Sequence, residues 1–140
     1  MLDASVALAW VLRDQDPEVT RYADAVSQAL QGGEDLALVP DIWHAEVAGV
    51  LLRHQRARTL SQEAFDGALE LFGSMRLETH HQPYTLGALV ERAQRLRLQA
   101  IDVLYFDLAS SLGLPIATVD RGLRSAAKAH GVALVTPTAR

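Results

Sequence analysis

Four short runs constrain this chain most: "LALV" at 36–39, "RLETH" at 76–80, "LPIATV" at 114–119 and "VALV" at 132–135. They are too short for core helices, and "RLETH" is the weakest of them. "LALV" is apolar throughout and is closed by Pro40, as expected of a strand buried on both faces. Between the runs lie longer stretches with helical signals. "DPEVTRYADAVSQALQ" opens with Asp16-Pro17 and stops at Gly32-Gly33, while "SQEAFDGALELFGSM" begins with a possible N-cap, Ser61. "YTLGALVERAQRLR" has Leu86, Leu89, Val90 and Ala93 on one side. "IDVLYFDLASSLG" has Ile101, Leu104, Tyr105, Leu108 and Leu112 in register and ends at Gly113. "SVALAWVL" and "RGLRSAAKAHG" complete the helical set. Short strands alternating with helices predict a parallel sheet covered on both faces, with functional residues gathered beyond the carboxyl ends of the strands.

Length and composition agree. With 140 residues, 49% of them hydrophobic, the chain is expected to form one domain, 1–140, with a sizeable core. There is no cysteine, which removes disulfides, thiolate metal sites and cysteine nucleophiles. No apolar run has the length of a membrane span, and the N-terminus lacks a basic region before its apolar stretch; a cytoplasmic protein is the expectation. Thirteen basic and 17 acidic residues give a net charge of −4, which argues against a generally basic nucleic-acid surface. Arginines cluster locally in "RHQRAR", in "ERAQRLR" and at Arg121, Arg124 and Lys128; each cluster alone reads as a solvated helix face.

The stretch "PDIWHAEVAGVLLRH" holds an anomaly. Its apolar residues Ile42, Trp43, Val47, Val50 and Leu51 form a core-facing stripe, and Glu46 lies inside it. An ionised carboxylate there is costly unless something faces it. Three aspartates share the puzzle. Asp3 and Asp120 follow apolar runs at strand-to-helix junctions, and Asp102 lies in the first turn of its helix. Individually, Asp102 and Asp120 read as helix caps, Asp3 as a turn residue, and Glu46 as the partner of a buried arginine. Together, two acids at strand ends, one at a helix start and one on a core-facing helix can converge. Such a cluster requires a counter-cation, and oxygen ligands favour Mg²⁺ or Mn²⁺. No H-x-x-x-H pair supports zinc, and His80-His81 reads as an exposed loop pair. Asp107, about 140° around the helix from Asp102, reads as surface or partner-facing.

"LDASVALAW", "PDIWHAEVAGVLLR" and "AIDVLYFDLASSLGLPIATVDRGLRSAAKAHGVALV" resemble the PIN-domain family, specifically the VapC-like toxins of toxin–antitoxin pairs. The ordered set is D-x-S, W-x-x-E, D-x-x-Y-x-x-L-A and T-x-D, and the likeness spans essentially the whole chain. It implies a PIN-like three-layer α/β/α fold with a short parallel central sheet flanked by helices. It further implies a metal-dependent endoribonuclease using Asp3, Glu46, Asp102 and Asp120, with Mg²⁺ or Mn²⁺ as cofactor. Asp3, Asp102 and Asp120 are then direct ligands, and Glu46 acts through water or a second ion in a cleft walled by Trp43 and Val50. Ser5 and Thr118 match the family's hydroxyl positions. The partners implied are an RNA substrate, a homodimer mate and an antitoxin seated on helices bearing Trp10, Leu12, Tyr22 and Val26. Two departures stand out: Met1 and Leu2 alone represent the family's opening strand, which predicts a weak central strand, and Val103 occupies a position typically small.

The rival readings are an aspartyl phosphatase, a receiver domain, a catalytically silent PIN-like binding module and a non-toxin RNA-processing nuclease. The first needs D-x-D, whereas Ser5 stands at the third position; the second needs paired acids, and none are seen.

Overall fold

The computed structural model describes residues 1–13, 16–31 and 36–136. The described residues form seven helices and a parallel sheet. In chain order the elements are α1 (Ala4–Val11), α2 (Pro17–Gln31), β1 (Ala37–Pro40), α3 (Ile42–Arg56), α4 (Gln62–Ser74), β2 (Leu77–His80), α5 (Leu86–Leu96), α6 (Ala100–Leu112) and α7 (Arg121–Ala129). This is the α/β class expected from the alternation of short runs and helices.

β1 and β2 pair in parallel, with Ala37 opposite Leu77 and Pro40 opposite His80. The sheet continues from β1 through shorter segments. Leu2 N–H donates to Leu38 O at 2.9 Å, Asp3 N–H to Ala117 O at 3.0 Å, and Ala117 N–H to Met1 O at 2.8 Å. Ile116 N–H donates to Ala133 O, and Val135 N–H to Ile116 O, both at 2.9 Å. The spatial order is therefore 77–80, 37–40, 1–3, 116–117 and 133–135. As "ML" predicts, the central segment is short: it bridges to its neighbour through Leu2 and Ala117 alone. "LPIATV" contributes two bridging residues, Ile116 and Ala117, and "VALV" one, Leu134, rather than full strands.

Local signals act as expected at several ends. Asp16 accepts from Glu18 N–H at 2.8 Å ahead of Pro17, and Ser61 accepts from Ala64 N–H at 3.1 Å. Gly113 closes α6 at φ 65°, a left-handed conformation that a side chain would strain. The Gly32-Gly33 stop lies outside the described residues. No helix among the described residues is long and apolar enough to cross a membrane.

Two helical faces depart from the sequence pattern. α6 buries Val103, Tyr105, Phe106, Leu108 and Ala109, whereas Ile101 and Leu112 are exposed. α5 buries Leu96 and half-buries Leu89 and Ala93, leaving Leu86 and Val90 outward. The displaced phase of α6 also corrects Asp107. Its side chain is only 11% exposed and pairs with Arg92 of α5, through Arg92 Nη2 at 2.7 Å and Nε at 2.9 Å. Tyr84 O–H donates to its other oxygen at 2.5 Å. An acid that fastens α5 to α6 is not a surface group. His80 likewise ends β2 and is half-buried, with Nε2 2.5 Å from Glu78, while His81 lies in the following loop with Nδ1 2.6 Å from Asp41.

Candidate functional site

The site begins at the carboxyl edge of the two central segments. Asp3 ends the first and is the N-terminal flanking residue of α1, in extended conformation. Two residues beyond the pairing position of Ala117, Val119 leads to Asp120, which caps α7 by accepting Leu123 N–H at 2.7 Å. The parallel register thus sets Asp3 beside Thr118 and brings Asp120 to the same edge.

Asp3 is buried, and its Oδ2 collects two hydroxyl donors, Ser5 and Thr118, the latter at 2.5 Å. Both hydroxyls accept from the backbone in turn: Ser5 Oγ from Val119 N–H at 3.2 Å, and Thr118 Oγ1 from Asp120 N–H at 3.0 Å. Each hydroxyl proton is committed to Asp3, so the carboxylate orientation is fixed by groups that are themselves fixed. Burial raises the Asp3 pKa, the two hydroxyl donors oppose the rise, and repulsion from Asp120 adds to it.

Asp102 lies in the first turn of α6, where Gln99 is the N-terminal flanking residue and makes no side-chain cap bond. It is therefore not the cap; the Gln99 backbone N–H favours its ionised form from one turn back. Burial, then repulsion from Asp120, Asp3 and Glu46 in that order, pushes the Asp102 carboxyl up to about 6. Asp102 thus lies within electrostatic reach of the other three acids. The four are not closed around one point: among the described residues, no three His, Cys, Asp or Glu side chains stand at ligand spacing.

Glu46 projects from α3, half-buried, and accepts the hydroxyl proton of Tyr105 on α6. Burial raises its pKa, the Tyr105 bond opposes the rise, and Asp3 adds to it. Its wall differs from the Trp43–Val50 cleft expected. Trp43 packs edge-on against Phe72 of α4, with centroids 5.7 Å apart, because the indole fills the core between α3 and α4. Tyr105, fully buried, is the neighbour that meets the carboxylate, and its own pKa is raised, first by burial and then by Glu46. Sequence reasoning placed Tyr105 in the core and missed this contact. The available signal was a hydroxyl at a core position, since a buried Tyr O–H needs an acceptor. Arg124 was also missed: it donates to Thr118 O at 3.0 Å.

Chemically, the donor set is all oxygen: four carboxylates, two hydroxyls and no cysteine. These residues fit a hard divalent cation such as Mg²⁺, which takes carboxylate ligands and keeps several waters. The raised carboxyls of Asp3, Glu46 and Asp102 also supply a reason a cation would be held there.

Comparison with known proteins agrees with this fold. No curated protein matches the chain significantly. The crystal structure of PAE2754 from Pyrobaculum aerophilum is similar in fold, with a TM-score of 0.64 and 23% identity over 89% of this chain and 76% of that one. The sequence profile of the PIN domain matches residues 1–136, and the chain belongs to the PIN-domain family.

Proposed function

We propose that this protein is a Mg²⁺- or Mn²⁺-dependent endoribonuclease and the toxin of a toxin–antitoxin pair. PIN domains are typically nucleases and usually use divalent metals. What supports the reading here is that Asp102 feels repulsion from Asp120, Asp3 and Glu46, while Asp3 and Asp120 follow neighbouring segments at the carboxyl edge of the sheet.

In this reading Asp3, Asp102 and Asp120 hold the cation, and Glu46 contributes through water or a second ion. A divalent cation held by these residues would supply charge neutralisation at the scissile phosphodiester and a more acidic water. Ser5 and Thr118 keep Asp3 oriented, and Tyr105 keeps Glu46 oriented. The resemblance to VapC-like proteins points to products with 5′-phosphate and 3′-hydroxyl ends. Readout of RNA sequence is expected in unpaired loops.

The same reading includes a homodimer and an antitoxin that delivers an Arg or Lys towards the carboxylates. Leu86 and Val90, one turn apart on α5 and 81% and 46% exposed, are apolar surface that a second copy would cover. The antitoxin groove expected on the first helices is narrower than supposed. Trp10 and Val26 are buried in the protein's own core, and Trp10 Nε1–H donates to Ala23 O at 2.7 Å. Leu12 and Tyr22 remain half-exposed.

Incubation with a structured RNA in Mg²⁺, in Mn²⁺ and in EDTA tests the activity. Metal-dependent cleavage that Asp102→Asn abolishes is the expected result. RNA left intact in both metals, by protein shown to be folded, would leave a catalytically silent module. Light scattering at high concentration tests the dimer, and a monomer there would overturn it.

A further inference from the structure

α7 divides into a buried side and a basic side. Leu123, Ala126 and Ala127 are buried, whereas Arg121, Arg124 and Lys128 follow one another at three- and four-residue spacing, along one line of the helix surface. That line starts next to Asp120. Its middle member is fixed by the site itself: Arg124 Nη1 donates to the carbonyl of Thr118, whose hydroxyl donates to Asp3. The Arg124 guanidinium also lies 5.6 Å from the ring centroid of Tyr22, whose hydroxyl donates to Val135 O at 3.0 Å.

Beyond Arg124 opens a hollow of about 680 Å³ walled by Arg21, Tyr22, Arg124, Lys128, Val132 and Thr136 among others. Among the described residues, every charged side chain lining it is a cation. This is not a consequence of composition, because the chain as a whole carries −4. A neighbouring hollow of about 310 Å³, which shares Tyr22 and Arg124, holds Asp16 and Glu18 with Arg121, so its charges offset. Arg21 is 76% exposed, and its pair with Glu18 at 3.9 Å is solvent-exposed on both sides, so the guanidinium remains open to a stronger acceptor.

The geometry points to the larger hollow as the track for the RNA backbone beside the cleavage site, with Arg21, Arg124 and Lys128 on successive phosphates. An RNA strand needs two opposite environments close together. The scissile phosphate needs carboxylates that carry a cation, and the flanking phosphates need cations supplied by the protein. The Thr118–Arg124 bond joins those environments through one residue. This inference rests on the nuclease reading.

The test compares the parent with the double variant R21Q/K128Q, which alters two exposed side chains and leaves the carboxylates intact. Single-turnover cleavage of a fluorescently labelled single-stranded RNA in Mg²⁺ is measured against protein concentration and salt, alongside anisotropy binding of the same RNA. The half-saturating concentration is expected to rise about tenfold at low salt, with the maximal rate unchanged within about twofold. The slope of log affinity against log salt should flatten by about 1.4, at roughly 0.7 for each lost phosphate contact on a single strand. Unchanged half-saturation and slope, or a loss of maximal rate alone, overturns the track. A parent that cleaves RNA with a variant equal to it removes the track and leaves the nuclease reading standing. A parent that binds RNA through these residues without cleaving does the reverse, and a parent that does neither removes both. A variant that keeps its RNA affinity but no longer binds a polyglutamate probe reassigns the hollow to an acidic protein segment, which also overturns the proposal.

Discussion

Two of the four acids are held by hydroxyl groups: Asp3 by Ser5 and Thr118, and Glu46 by Tyr105. A hydroxyl that orients a metal-binding carboxylate is expected to matter more to metal affinity than to folding. Tyr105→Phe keeps the ring in the core and removes one hydrogen bond, at a cost of about 1–2 kcal/mol in stability. Mg²⁺ affinity or cleavage is expected to fall by about 10–100-fold. Calorimetric titration with Mg²⁺ and a cleavage assay check this; lost stability with unchanged Mg²⁺ affinity would make Tyr105 a packing residue alone. Glu46→Gln is the complementary change. It retains shape and the capacity to accept from Tyr105, so the fold should persist while most Mg²⁺-dependent cleavage disappears. Cleavage at the parental rate would make Glu46 structural.

Among the elements, the Asp107–Arg92 pair is the main polar fastening between α5 and α6, with Tyr84 as a third member. Asp107→Ala leaves the Arg92 charge half-buried and the Tyr84 hydroxyl without its acceptor. With Arg92 34% exposed, the expected loss lies between surface and buried pairs, about 2 kcal/mol. Urea denaturation measures it, and Mg²⁺ affinity should not move; a large drop in Mg²⁺ affinity would add Asp107 to the proposed metal site. The error over Asp107 shows where the sequence was legible. Helix ends were readable because their signals are local: Asp16-Pro17, Ser61 and Gly113 act through bonds to neighbouring residues. Helix phase was not, because α6 is apolar on most of its circumference and many rotations satisfy its pattern. Its true face is chosen by α5, α7 and β1, which pack on it. The four acids were readable as a set because each interrupts an apolar context or follows an apolar run. Their hydroxyl and arginine partners come from distant segments, Tyr105 to Glu46 and Arg124 to Thr118, and spacing along the chain carries no mark of them.

For the whole molecule, the acid cluster is expected to make stability depend on pH and, through the proposed cation, on metal. The Asp102 carboxyl is pushed from 3.8 up to about 6, and those of Asp3 and Glu46 are also raised. A raised carboxyl pKa means that the folded state binds protons more tightly than the unfolded chain. The associated stabilisation is complete below the unfolded value and is lost as pH rises through the folded one. In EDTA, the carboxylates should therefore lower the melting temperature as pH rises from about 4 to about 7. The Met1 amine runs the opposite way in part of the same window. It donates to Pro115 O, and burial lowers its pKa from 8.0 to about 6, so its contribution is lost as pH falls. The parent's curve is the sum of both, and the difference between parent and Asp102→Asn isolates the cluster. That variant removes one titrating charge and relieves repulsion on the other three, so in EDTA near pH 7.5 it should melt at or above the parent. Each kcal/mol relieved raises the midpoint by about 3–5 °C in a chain of this length. Near pH 4 the two should converge, because the parent's Asp102 is then protonated. Mg²⁺ should reverse the order at pH 7.5, since the parent gains the metal's binding energy and the variant gains less. An Asp102→Asn protein that melted below the parent in EDTA at every pH, and gained equally from Mg²⁺, would mean that Asp102 serves the first turn of α6 rather than a cation.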